Sequence, residues 1–107
     1  MIEINDFLEN NLSAIKNIIA EFEIEIEFSS HDFIEKFTDK YESDYIKMLV
    51  KYQESGHSFK TVHNQIALFL SAKKESLGIY KTQRKGSENV KGKIDIIQWW
   101  IRSKPIT

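Results

Sequence analysis

The apolar residues of this chain change period between Phe22 and Ser29, and nothing else in it restricts the fold as strongly. Before that point Leu8, Leu12, Ile15, Ile19 and Phe22 recur at steps of 4, 3, 4 and 3, with Phe7 and Ile18 widening the stripe. That is the pattern of a helix with one buried side. Then comes EFEIEIEF, residues 21–28, in which Phe22, Ile24, Ile26 and Phe28 point one way and four glutamates the other. Period 2 means a strand with one buried face. Isoleucine and phenylalanine suit it, and outward charges discourage pairing with foreign strands. Helical spacing resumes after Ser29. With 107 residues, 41% hydrophobic and 29% charged, the chain is expected to form one domain, residues 1–107, of the α+β class.

Three main helices are expected. The first runs from Asn5, as N-cap, to Phe22. Its step pattern is also that of a coiled-coil seam, but only about two heptads are present, so a core-facing helix is preferred to a dimer helix. Ser29 and Asp32 read as a capping box, and Phe28 with Phe33 as a hydrophobic staple. The second helix follows from Ser30 to Gln53, with Ile34, Phe37, Tyr41, Tyr45, Met48 and Tyr52 as its seam and Leu49 beside them. A break is expected between Asp39 and Ser43, where propensity is weak, and Gly56 ends the helix. The third, Phe59 to Ser76, is capped by Ser58 and closed by Gly78. It buries Phe59, Val62, Ile66, Phe69 and Leu70, and Lys73 and Lys74 suit the dipole of its last turns.

The remainder reads IYKTQRK, GSENVKG and KIDIIQWWI. Two segments rich in Ile, Tyr and Trp around a glycine-flanked loop predict a long-looped β-hairpin. Ile94, Ile97 and Ile101 also satisfy helical spacing, so residues 93–101 admit both readings. The strand is preferred, with a bulge between Ile96 and Ile97, where alternation fails. In a strand Trp99 and Trp100 face opposite ways, one toward the core and one near the surface. The outer ring would stack on a base, anchor a protein partner or pack on a neighbouring helix. The order helix, strand, helix, helix, hairpin resembles that of winged-helix domains. The resemblance is one of architecture and rests on no sequence motif. It implies a helix-turn-helix pair whose second member enters the major groove by its N-terminal end, and a two-stranded wing.

The net charge of −1 conceals a division. Residues 1–46 carry twelve carboxylates against three lysines, a net of −9, and residues 47–107 carry twelve Lys and Arg against four carboxylates, a net of +8. Such asymmetry points to nucleic acid or an acidic partner, or to two halves that attract each other on folding. The nucleic-acid reading uses the basic half. Lys60, Thr61, Asn64 and Gln65 lie away from the core stripe of the third helix, with Asn and Gln suited to adenine and Lys to phosphate. Lys81, Arg84, Lys85, Lys91 and Lys93 surround the hairpin loop, and Arg102 stands beside the tryptophans. The acidic half would face away or shield this surface. The alternative is a protein-interaction or homodimerising module, in which the acidic face of one molecule meets the basic face of another.

Enzymatic chemistry is not expected. The chain has no cysteine, hence no thiolate ligand, thiol nucleophile or disulfide. His31 and Glu35 share a helix face but have no third ligand, so no metal is expected. His63, between Phe59 and Ile66, reads as a half-buried packing residue. The uniform glutamates offer no pair in unlike environments for acid/base work. GSENVKGKI has one residue too many between its glycines for a phosphate loop, and Ile94 stands where Ser or Thr should hold magnesium. No cofactor is called for. The start has two acids in its first six residues and no basic region, so no signal peptide is expected. The longest apolar run, IALFLSA, is far too short to span a membrane. The expected location is therefore cytoplasmic.

Overall fold

The computed structural model describes residues 4–88 and 92–102. Along these residues the order is α1 (Ile4–Asn10), α2 (Leu12–Ile19), β1 (Phe28–Ser29), α3 (Ser30–Lys40), α4 (Glu42–Lys51), a 3-10 turn (Gln53–Ser55), α5 (Ser58–Ala72), α6 (Lys74–Leu77), β2 (Ile79–Glu88) and β3 (Ile94–Arg102). The class is α+β, as the change of period predicts, but each of the three expected helices is divided in two.

The first helix breaks at Asn11. The Asn11 backbone N–H is shared between the Phe7 and Leu8 carbonyls at 3.1 and 3.2 Å, and its side-chain Nδ2 also donates to Phe7 at 2.8 Å. A side chain that competes for a helix carbonyl disturbs the ladder there. Asn5 lies inside α1 and caps nothing. The second helix breaks at Tyr41 (φ −126°, ψ 45°), inside the expected weak stretch. It ends through the 3-10 turn at Gly56, whose φ of 76° closes it in the left-handed region. The third begins at Ser58 itself; His57 takes the N-cap position and makes no side-chain cap bond. The capping box before α3 is complete: the Asp32 N–H donates to Ser29 Oγ at 3.0 Å and the Ser29 N–H to Asp32 Oδ2 at 2.9 Å.

The alternating segment departs most from expectation. Only Phe28 and Ser29 are strand, paired antiparallel with Trp100 and Trp99. Ile24 and Ile26 are 36% and 57% exposed, the Ile26 N–H turns back to the Glu23 carbonyl, and Glu25 has φ 66°. A residue in the left-handed region cannot continue a strand. The register, continued, would set Ile26 opposite Arg102, and there the Arg102 guanidinium donates to the carbonyls of Phe22 at 2.6 Å and Ala20 at 3.3 Å. The end of β3 thus ties down the exit of α2 rather than a longer β1.

The sheet has the order β1–β3–β2. Residues 94–102 are strand, and β2 extends to Glu88, through part of the expected loop. The bulge lies on β2, not between Ile96 and Ile97. Lys81 pairs with Trp100 and Arg84 with Gln98, three steps on one strand against two on the other. Trp100 is buried, and its Nε1 donates to Ser30 Oγ at 2.9 Å. Trp99 is half-buried, and its Nε1 donates to the Lys85 carbonyl at 3.3 Å. The division of the two rings is the expected one.

The core lies between α1, α2, α3 and α5. Ile4, Leu8, Ile15, Ile18, Ile34, Phe37, Val62, Ile66 and Leu70 are all 0% exposed, and burying each such side chain is worth about 1.5–3 kcal/mol. Phe7 meets Phe37 and Tyr41 edge-on, with centroids 6.3 and 5.6 Å apart. Leu12, Phe22, Tyr41, Leu49 and Tyr52 pack at its margin, whereas Phe59, expected inside, is 38% exposed. Among the described residues no helix is long and apolar enough to cross a membrane.

Candidate functional site

Because Val62, Ile66, Phe69 and Leu70 bury one side of α5, the residues at 60, 64, 67 and 71 come to the other. That side faces the hairpin across an open groove of about 740 Å³, lined by Lys60 and Asn64 from α5 and by Lys81 and Arg84 from β2. The bulge is what brings the last two together. Cross-strand partners share a face, and Trp100 and Gln98 lie two apart on β3. An unbulged ladder would set Gln83 opposite Gln98 and turn Arg84 to the far face. The extra residue places Arg84 beside Lys81 instead.

The groove thus gathers three exposed cations and the exposed amide of Asn64. Arg84 Nη2 reaches only weakly, at 3.5 Å, to the Ile96 carbonyl. Asp95 is the one carboxylate among the lining residues. Leu68 and Ile96 add apolar side chains to the lining and are 68% and 65% exposed. Neither belongs to the interface expected from sequence. Leu68 was legible as an apolar residue off the buried stripe of α5; Ile96 shares strand parity with Trp100 and Ile94.

The other expected site residues are placed elsewhere. Thr61 is half-buried, and Gln65 Nε2 donates to the Tyr52 hydroxyl at 3.0 Å. Arg102 holds the two carbonyls of the α2 exit. Lys93 is exposed but does not line the groove, and Lys91 lies outside the described residues. Lys85 meets the acidic segment: its Nζ is 3.2 Å from Glu27 Oε2 and 4.3 Å from the centroid of the Trp99 ring. Glu27 also accepts from Thr82 at 3.1 Å and from Gln83 at 3.4 Å, the two residues of the bulge. Desolvation raises the Glu27 pKa, but the bonds from Lys85, Thr82 and Gln83 outweigh it and hold the carboxyl below its ordinary value. Glu21 is lowered in the same way, first by its bond from Lys40 (2.7 Å) and also by Lys36 (3.5 Å). The acidic row is therefore balanced in part by α3 and in part by one hairpin lysine, and it leaves Lys60, Lys81 and Arg84 uncovered.

Two histidines stand at the base of the groove. His63 Nε2 lies 2.6 Å from the Tyr45 hydroxyl, and burial pushes that phenol up to about 12. His31 is buried, and its Nδ1 has no hydrogen-bond partner among the described residues. Among those residues no group of three or more His, Cys, Asp or Glu is placed to hold a metal ion. The arrangement is suited to an anionic ligand with apolar parts: it offers cations, an amide for paired hydrogen bonds, and exposed apolar side chains. Comparison with known proteins found no matching family model, no similar curated protein and no similar solved structure.

Proposed function

We propose that the chain is a winged-helix-like domain that binds nucleic acid, without catalysing a reaction, through the groove between α5 and the hairpin. The observation that carries this is the convergence of Lys60, Asn64, Lys81 and Arg84 from two elements on one open cleft. In this reading α5 is the second helix of the helix-turn-helix pair and β2–β3 is the wing. The sheet order β1–β3–β2 supports it, since the short strand between the helical units pairs with the returning strand of the hairpin. Lys60 stands in the first turn of α5, where a reading helix contacts its target. Asn64 suits adenine, and the three cations suit phosphate. The helix before α5 departs from the usual pair: it is broken at Tyr41 and followed by the 3-10 turn.

One observation favours a second reading. A lining in which Leu68 and Ile96 are more than half exposed is better suited to a protein partner than to a duplex backbone. Gel-shift assays at low ionic strength, with duplex and single-stranded probes, test the first reading. The wild type is expected to retain a probe. Lys60→Glu and the double change Lys81→Glu/Arg84→Glu are expected to lose it, while Lys47→Glu on α4 retains it. No retention by the wild type, or an equal loss in Lys47→Glu, overturns the proposal.

A further inference from the structure

The segment Glu23–Ile26 is pinned at both ends. On one side Arg102 holds the Phe22 carbonyl at 2.6 Å, and the Phe22 ring is stacked on Phe28 with centroids 4.0 Å apart. On the other, Glu27 is held by Lys85, Thr82 and Gln83. Between these anchors Ile24 and Ile26 are 36% and 57% exposed and alternate with glutamates. The loop is thus an ordered protrusion of apolar side chains flanked by negative charge.

The groove is its chemical complement. Its lining offers exposed Leu68 and Ile96 together with Lys60, Lys81 and Arg84. No residue from 20 to 27 lines the groove of its own molecule, and the two anchors keep the segment against α2, β2 and α3. The loop therefore cannot fill the groove that matches it within one chain.

We propose that residues 23–26 of a second copy of this chain occupy the groove, with Ile24 and Ile26 on Leu68 and Ile96 and Glu23 and Glu25 toward Lys60, Lys81 and Arg84. Burying those isoleucines removes apolar surface from water on both partners. Opposite charges set the register and reject alternatives. The free edge of the sheet is a poorer route to self-association, because β2 carries Lys81, Arg84, Lys85 and Glu88 and a bulge, all of which discourage edge pairing. The inference uses the same groove as the proposed function but not its ligand. Where both hold, nucleic acid and a second copy compete for one surface.

Sedimentation equilibrium without nucleic acid tests it on three samples. The wild type is expected to associate, more weakly as salt rises. Glu23→Lys/Glu25→Lys and, separately, Lys81→Glu/Arg84→Glu are each expected to self-associate at least about tenfold more weakly, because like charges then meet. An equimolar mixture of the two variants is expected to regain association, since every contact is again between opposite charges. All four side chains are exposed, so unchanged thermal midpoints establish that folding is intact. A wild type that stays monomeric, swaps that leave association unaltered, or a mixture that fails to recover it overturns the inference. A monomeric wild type that still shifts a probe leaves the nucleic-acid reading standing. An associating protein that shifts no probe removes only that reading.

Discussion

Tyr45 and His63 show what one buried polar contact costs and contributes. Their 2.6 Å hydrogen bond sits at the junction of α4 and α5, and burial raises the phenol to about 12. A folded-state pKa above the unfolded value of about 10 means stability that is complete below pH 10 and lost as pH rises toward 12. Tyr45→Phe is expected to be about 1 kcal/mol less stable at neutral pH, and the gap to the wild type should close and then reverse between pH 10 and 12, where the wild type loses about 1.4 kcal/mol per pH unit. Urea denaturation across that range measures it; a gap that stays constant contradicts the assignment. Arg102 gives a second case. Its type and position suggested a ligand contact, but the guanidinium donates to two carbonyls at the exit of α2. Arg102→Gln is expected to cost about 1.5–3 kcal/mol and to leave oligonucleotide affinity unchanged. The opposite pattern, affinity lost and stability kept, would return Arg102 to the interface.

Elements were legible where a local signal acts alone. The Ser29–Asp32 box, the weak stretch around Tyr41, the two closing glycines and the strands of the hairpin are each visible in a few adjacent residues. Gly56 is a clean instance: its φ is 76° and nothing lies within 4 Å of a Cβ built there. Gly56→Ala should therefore cost about 1–2 kcal/mol from backbone strain alone. A thermal melt that shows no loss would mean the turn has another conformation. Elements were misread where a distant partner decides. The alternation of residues 22–28 is an adequate strand pattern, yet only Phe28 and Ser29 find a partner on β3, and Glu25 at φ 66° takes the chain out of the extended region before them. The bulge likewise depends on how β2 fits against β3, and local alternation placed it on the wrong strand.

At the scale of the whole molecule, the opposed charges of the two halves neither cancel nor separate cleanly. Glu21 is matched by Lys36 and Lys40 from its own half, and Glu27 takes Lys85 out of the basic set. Composition revealed that cations were in excess after Ile46, but the choice among them is a property of the fold. Four of the ten residues singled out by position converge, because the period of α5 and the bulge of β2 bring them to one cleft. Of the others, Gln65, Lys85 and Arg102 bond within the chain, Thr61 is half-buried, Lys93 is exposed away from the groove, and Lys91 lies outside the described residues. Of the two apolar lining residues, Leu68 stands off the buried stripe of α5, whereas Ile96 shares strand parity with buried Trp100 and reads as a core residue until its exposure is seen.

That Lys60, Lys81 and Arg84 act together from the two sides of one anion-binding groove is tested by the salt dependence of oligonucleotide binding. Three neutralised phosphates correspond to a slope of log affinity against log salt between about −2 and −3. Lys60→Gln, Lys81→Gln and Arg84→Gln should each reduce its magnitude by about 1. Absence of binding at low salt, or a slope that none of the three substitutions changes, would contradict the account.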